Sequence, residues 1–234
     1  VFEDVARITF ELSNRCPLQG EHKLCPVHTF KQVHILPLNT IKKIIEELKG
    51  MGWGNGKKVA FHAFNEPLID PRLYWLIGFI TQELPGIQPL LITNGWYLNR
   101  TLAGELFDVG LSSLVVSGYS RAERKRLRSV GRMKAARVGR AQLKQSILYP
   151  GDGPDSYRDC FAPLNDLTIR ASGNVGLCCV DYAETVTFGN VNEEALGSIM
   201  QREYPRMKAL QDDLRKRVRT LPVCKTCHRR RKKF

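Results

Sequence analysis

Seven cysteines carry most of the chemistry this 234-residue chain can offer. Cys16 and Cys25 are separated by eight residues, and His28 follows three positions on. Three such ligands on one loop can wrap an iron–sulfur cluster and leave one iron open to an outside ligand. They can also hold zinc as a Cys₂His set with water in the fourth position. Cys160, Cys178, Cys224 and Cys227 make a second group, and the two-residue spacer lets Cys224 and Cys227 grip one metal. Four thiolates leave no open position, so this site is expected to be structural or electron-carrying, as a cluster or a zinc ribbon. Cys179 adjoins Cys178, and strand alternation allows only one of them to face the site; Cys178 is the expected ligand.

Other polar residues gain meaning from their position past strand ends. Glu66, in Asn65-Glu66-Pro67, is a carboxylate that can hold an ammonium group or merely cap its loop. Asn94 and Ser117 are turn residues by default and ligand contacts only in the right fold. His62 lies in an apolar run and reads as a core histidine. No general base stands out among Arg121, Arg137, Tyr149 and Asp181.

The elements that must position these groups follow from periodicity. Residues 6–12 alternate as a strand. A helix over 40–50 carries the stripe Ile41, Ile44, Ile45 and Leu48, with Asn39 or Thr40 as cap and Gly50 as stop. A strand is expected over 58–64 and a helix over 71–84 capped by Asp70. Then come a strand over 88–93, a helix over 100–109 closed by Gly110, a strand over 114–117 and a basic helix over 120–130. Four βα units favour a parallel sheet or barrel with functional loops at the carboxyl ends of its strands. One or two strands are expected in 134–149, and the Pro-Gly run 150–154 marks a boundary between domains 1–149 and 150–234. A hairpin of 164–171 with 175–180 brings Cys178 back toward Cys160, and a helix over 193–218 is expected to break or kink at Pro205.

Composition bounds the rest. The chain is 43% hydrophobic and 25% charged, with no apolar run near the ~20 residues of a membrane span. Val1-Phe2-Glu3-Asp4 opens it without a secretory signal, and the lack of an initiator Met points to a trimmed start. An odd number of cysteines without a signal favours metal chemistry in the cytoplasm over disulfides. The net charge of +13, rich in 121–140 and in the tail from His228, allows an acidic partner.

"ITFELSNRC", "FHAFNEPLIDP", "LLITNGWYL", "LTIRASGNVGLCCVDY", "FGNV" and "LPVCKTC" together resemble the radical S-adenosylmethionine superfamily with a twitch or SPASM-type auxiliary domain. Within it, the 2-deoxy-scyllo-inosamine dehydrogenase type is most similar. The resemblance covers nearly the whole chain. It implies an α/β fold: a partial (β/α) barrel of about five or six strands, then a small α+β cluster domain with a basic C-terminal tail. It implies two four-iron four-sulfur clusters, one on Cys16, Cys25 and His28, the other on Cys160, Cys178, Cys224 and Cys227. Glu66 would hold the methionine amine of S-adenosylmethionine, with Asn65, Asn94 and Ser117 near the cofactor. The implied reaction is a two-electron oxidation begun by a 5′-deoxyadenosyl radical, with an external flavodoxin- or ferredoxin-type donor and a small-molecule or peptide substrate.

This chain departs from the family pattern, Cys-x3-Cys-x2-Cys, in its longer first gap and in His28 at the third position. An imidazole in place of a thiolate raises a cluster's potential, which opposes reductive cleavage of the cofactor. Asn65 stands where a Gly is usual, and the segment between Ser117 and Cys160 is short. Two rivals remain: maturation of a ribosomal peptide by the same chemistry, and a non-catalytic zinc protein that binds nucleic acid.

Overall fold

The computed structural model describes residues 1–21, 25–140, 160, 162–216, 218–225 and 227. The expected boundary at 149/150, the second half of the 134–149 segment, Tyr149 and the basic tail from His228 lie outside them.

One eight-stranded sheet carries everything, in the order β5-β4-β3-β2-β1-β6-β7-β8. Its centre is β1 (Arg7–Phe10), whose Ile8 and Phe10 are fully buried. On one side β1 pairs in parallel with β2 (Lys58–Ala60), followed outward by β3 (Gln88–Thr93), β4 (Ser113–Gly118) and β5 (Ala136–Arg140), all parallel. On the other side β1 pairs in parallel with β6 (Asp166–Ile169), Ile8 opposite Leu167. The sheet then turns antiparallel through β7 (Asn174–Gly176) and β8 (Thr187–Asn190). The Arg7 guanidinium donates to both carboxylate oxygens of Asp166, and the Thr9 hydroxyl donates to the same carboxylate at 3.2 Å. The six parallel strands and open sheet agree with a partial barrel, and the C-terminal hairpin extends that same sheet. The strand β8 had no sequence reading of its own.

Helix α1 (Leu38–Gly50) buries the expected stripe, Ile41, Ile44, Ile45 and Leu48. Its start differs from expectation. Pro37 precedes it with no side-chain cap, and the Thr40 hydroxyl instead donates to Asn192 Oδ1 at 2.8 Å. Its stop is Gly52, at φ +67° with its N–H on the Lys49 carbonyl, rather than Gly50. Near the far end of α1, Glu47 Oε2 accepts the Gly197 N–H at 2.8 Å and so caps α5 (Leu196–Arg215), which has no cap of its own. Helix α5 continues through Pro205 without the break that was one of the two expectations there.

Helix α2 (Leu73–Glu83) begins two residues later than expected, because Asp70 Oδ1 accepts the Arg72 N–H and shapes the preceding turn. Helix α3 (Arg100–Asp108) is capped by Asn99, and Gly110 follows at φ +110°. Helix α4 (Arg121–Arg126) opens with a Ser120/Glu123 capping box but ends four residues before Val130. There the buried Leu127 and Val130 lead into a 3₁₀ turn instead. Strand β2 stops at Ala60, short of Phe64, because the Phe64 N–H donates to Glu11 Oε1 at 2.9 Å rather than to a neighbouring strand. That departure frees 61–66 to form a loop over the end of the sheet. Helix α6 (Pro222–Lys225) carries Cys224.

Candidate cluster and cofactor sites

The loop after β1 is closed at its base before it carries any ligand. Ser13 bridges Ile35, the Asn14 amide donates to the Gln32 carbonyl, and Asn14 Oδ1 accepts the His34 N–H. Arg72 locks this base to α2 by donating to the Leu36 and Leu12 carbonyls while paired with Asp70. Inside the loop Cys16 and Cys25 are half-buried and feel each other's charge. Burial pushes the Cys16 thiol up to about 11 and raises Cys25 as well. Such thiols become thiolates when a metal supplies the compensating charge. His28 is exposed on the 3₁₀ turn Pro26–Thr29, its Nδ1 2.5 Å from the Cys25 carbonyl oxygen. Among the described residues no three His, Cys, Asp or Glu side chains gather closely enough to hold a single metal ion.

Glu66 is 2% exposed and ties the carboxyl ends of the sheet together. Its Oε1 accepts the Leu68 N–H and the Thr93 hydroxyl (2.6 Å), and its Oε2 accepts the Asn94 N–H (2.8 Å). Burial raises its pKa against those three donors. Oε2 keeps a lone pair for one further donor. The Asn94 amide reaches Cys16 Sγ at 3.7 Å, so the expected cofactor residue and the first expected cluster ligand touch. Gly95, at φ +74°, follows; a Cβ there would stand 2.6 Å from Val116 Cγ1. Asn65 Oδ1 accepts the Ala63 N–H, while its buried Nδ2 has no partner among the described residues. Ser117 is half-buried near the end of β4.

Sequence reasoning missed Tyr119. Its phenol is raised by burial first, then by the charges of Cys25, Cys16 and Glu66. Tyr119 stands immediately after β4, so its place just past a strand end was the available signal. It also missed Glu11 and Arg170, a buried ion pair at 3.3 Å.

At the other site Cys160, Cys178, Cys224 and Cys227 line one mainly apolar cavity with Leu177 and Leu214; Cys179 is not in its wall. Burial pushes Cys178 strongly upward and Cys224 to about 11. Arg219, also unread in the sequence, lines the cavity, donates to the Cys224 carbonyl at 3.1 Å and lowers that thiol's pKa. Four thiols that line one cavity could hold a metal or a cluster, and a cationic neighbour suits the negative charge of thiolate ligands.

Comparison with known proteins gives the class first. Residues 160–228 match the SPASM family, an iron–sulfur cluster-binding domain. Beyond that segment, the fold is shared with solved structures described as BtrN and as anSMEcpe with bound AdoMet. More particularly, the chain is 22% identical over 169 residues to the S-adenosyl-L-methionine-dependent 2-deoxy-scyllo-inosamine dehydrogenase of Niallia circulans. That match covers 68% of this chain and 67% of the relative. The open form of BtrN superposes with a TM-score of 0.71 at 19% identity, over 95% of this chain and 92% of that one. Tagged anSMEcpe with bound AdoMet superposes with a TM-score of 0.63 at 10% identity, over 86% and 82%.

Proposed function

We propose that this chain is a radical S-adenosylmethionine oxidoreductase acting on a small molecule. The observation that carries the reading is the convergence of Cys160, Cys178, Cys224 and Cys227 on one cavity, in a sheet whose opposite wing holds Cys16, Cys25 and Glu66 together. Cys16 and Cys25 would supply two thiolates to the first cluster. The Nδ1 of His28 stands at hydrogen-bond distance from the Cys25 carbonyl, and a ring that donates there keeps Nε2 as a metal-binding atom. Glu66 Oε2 would take the ammonium of the bound methionine, and Asn94 would fix the cofactor relative to Cys16. Tyr119 would close the pocket against water. The C-terminal cysteines would hold the auxiliary cluster, with Arg219 partly offsetting its charge.

When bound, these groups would supply a 5′-deoxyadenosyl radical for hydrogen abstraction and a one-electron acceptor for the second oxidation step. The protein's part is to orient, bind and exclude water.

The test is anaerobic reconstitution followed by low-temperature paramagnetic resonance of the reduced protein, with and without S-adenosylmethionine. About eight irons per chain and a cofactor-induced change of signal are expected. Tightly bound zinc with no sulfide would refute the proposal.

A further inference from the structure

The basic helix after β4 has no part in the chemistry described so far. Helix α4 carries Arg121, Arg124, Lys125 and Arg126 beside a single carboxylate, Glu123. That carboxylate accepts the Ser120 N–H at 2.7 Å and so serves the cap. Two of the arginines reach for backbone carbonyls in the loops past the strand ends. Arg124 Nη1 donates to the Gly118 carbonyl, next to Tyr119, at 3.1 Å. Arg126 donates from Nη1 to the Leu98 carbonyl at 2.7 Å and from Nη2 to the Gly95 carbonyl at 2.6 Å. Charge-assisted bonds of this length are the strong ones. The next residue, Leu127, is buried, and its Cδ1 would stand 2.9 Å from a Cβ at Gly95. Arg100, which opens α3, donates to the Ser129 carbonyl at 2.9 Å and ties the same two segments in the other direction.

The bond to Gly95 acts on the site through one peptide group. The carbonyl of that group is held by Arg126, and its N–H, on Trp96, donates to Asn94 Oδ1 at 2.8 Å. The other end of the Asn94 amide, Nδ2, stands 3.7 Å from Cys16 Sγ, and the Asn94 N–H donates to Glu66 Oε2 at 2.8 Å. Gly95 lies at φ +74°, in backbone that is free to turn unless something outside it fixes the peptide. The Arg126 fork does so at two points of a five-residue loop, 94–98.

We propose that Arg126 is a positioning residue for the cofactor site: it fixes the 95–96 peptide and, through it, the Asn94 side chain between Cys16 and Glu66. The inference rests on the proposed function in taking S-adenosylmethionine as what Asn94 helps to hold.

The test uses the full-length reconstituted protein, with S-adenosylmethionine binding read by equilibrium dialysis and iron content read on the same samples. Arg126→Met should weaken binding about tenfold with iron content unchanged. Arg126→Lys keeps the charge without the fork and should be weakened about as much. Lys125→Met, which removes the neighbouring cation, should bind as the parent does. In the cofactor-free protein, hydrogen exchange over residues 94–98 should quicken about tenfold in Arg126→Met and stay unchanged in Lys125→Met. Should Arg126→Met fail to fold, Arg126→Lys decides by the same two readouts. Parent-like affinity in either folded Arg126 variant, an equal loss in Lys125→Met, weakening that only tracks lost iron, or unaltered exchange would overturn the proposal. A parent that binds no S-adenosylmethionine, with exchange still quickened by the Arg126 variants, would sink the radical reading and leave the hold on Asn94 standing. A parent that binds it, with the Arg126 variants unaffected, would do the reverse.

Discussion

Adjacent cysteines after β7 meet different surroundings. Cys178 lines the four-cysteine cavity and Cys179 does not. Cys178→Ala should therefore remove about half of the reconstituted iron, while Cys179→Ala should leave the iron content unchanged, as a colorimetric assay would read. His28 is the least constrained of the expected ligands. His28→Cys should lower the midpoint potential of the N-terminal cluster and raise its occupancy, measured by redox titration with paramagnetic resonance. Glu11 tests the buried ion pair. Its folded pKa lies above the ordinary value of 4.5, through burial first, opposed by Arg170 and two backbone N–H groups. Between the unfolded and folded values the native state holds the extra proton, so its contribution to stability falls as pH rises through that window. Glu11→Gln should abolish this component of the pH slope and lower stability by about 3 kcal/mol, seen by urea unfolding at several pH values. Ligand types and spacing revealed the cysteines, Glu66 and Asn94. Glu11 and Arg170 were not legible, because a charged residue just past a strand end looks like a solvent-facing one until its neighbours are known.

Elements show the same division. Strand β3 was legible residue for residue, because an apolar run of 6 residues bounded by turn signals is too short for a helix. The ends of α1, α4 and β2 were not, since each is set by a partner far along the chain: Asn192 for Thr40, buried packing for Leu127, Glu11 for Phe64. The β6–β7 turn depends on Gly173, at φ +91°, where a Cβ would stand 2.2 Å from Asn192 Nδ2. Gly173→Ala should misplace the strand that leads to Cys178. We expect a loss of about 1–3 kcal/mol in stability, and of auxiliary-cluster iron, with the S-adenosylmethionine-sensitive signal kept.

Across the whole molecule, β1 binds the two wings into one sheet. Unfolding followed by tryptophan fluorescence, dominated by Trp53, Trp75 and Trp96, should coincide with unfolding followed by auxiliary-cluster absorbance. Two separated transitions would contradict a shared core. None of the described helices is long and apolar enough to cross a membrane, so the apolar residues are spent on that core. The Pro-Gly run at 150–154 led the sequence reading to two successive domains; the parallel pairing of β1 with β6 has no signature of its own in the sequence. That pairing bears on synthesis. The strand made among the first residues must wait for a neighbour made more than 150 residues later, roughly 10–30 s at ordinary ribosome speeds. Until then its flank stays open, and the loop it feeds has no fixed floor. A metal offered to Cys16 and Cys25 before β6 has been made would meet a loop that is not yet supported.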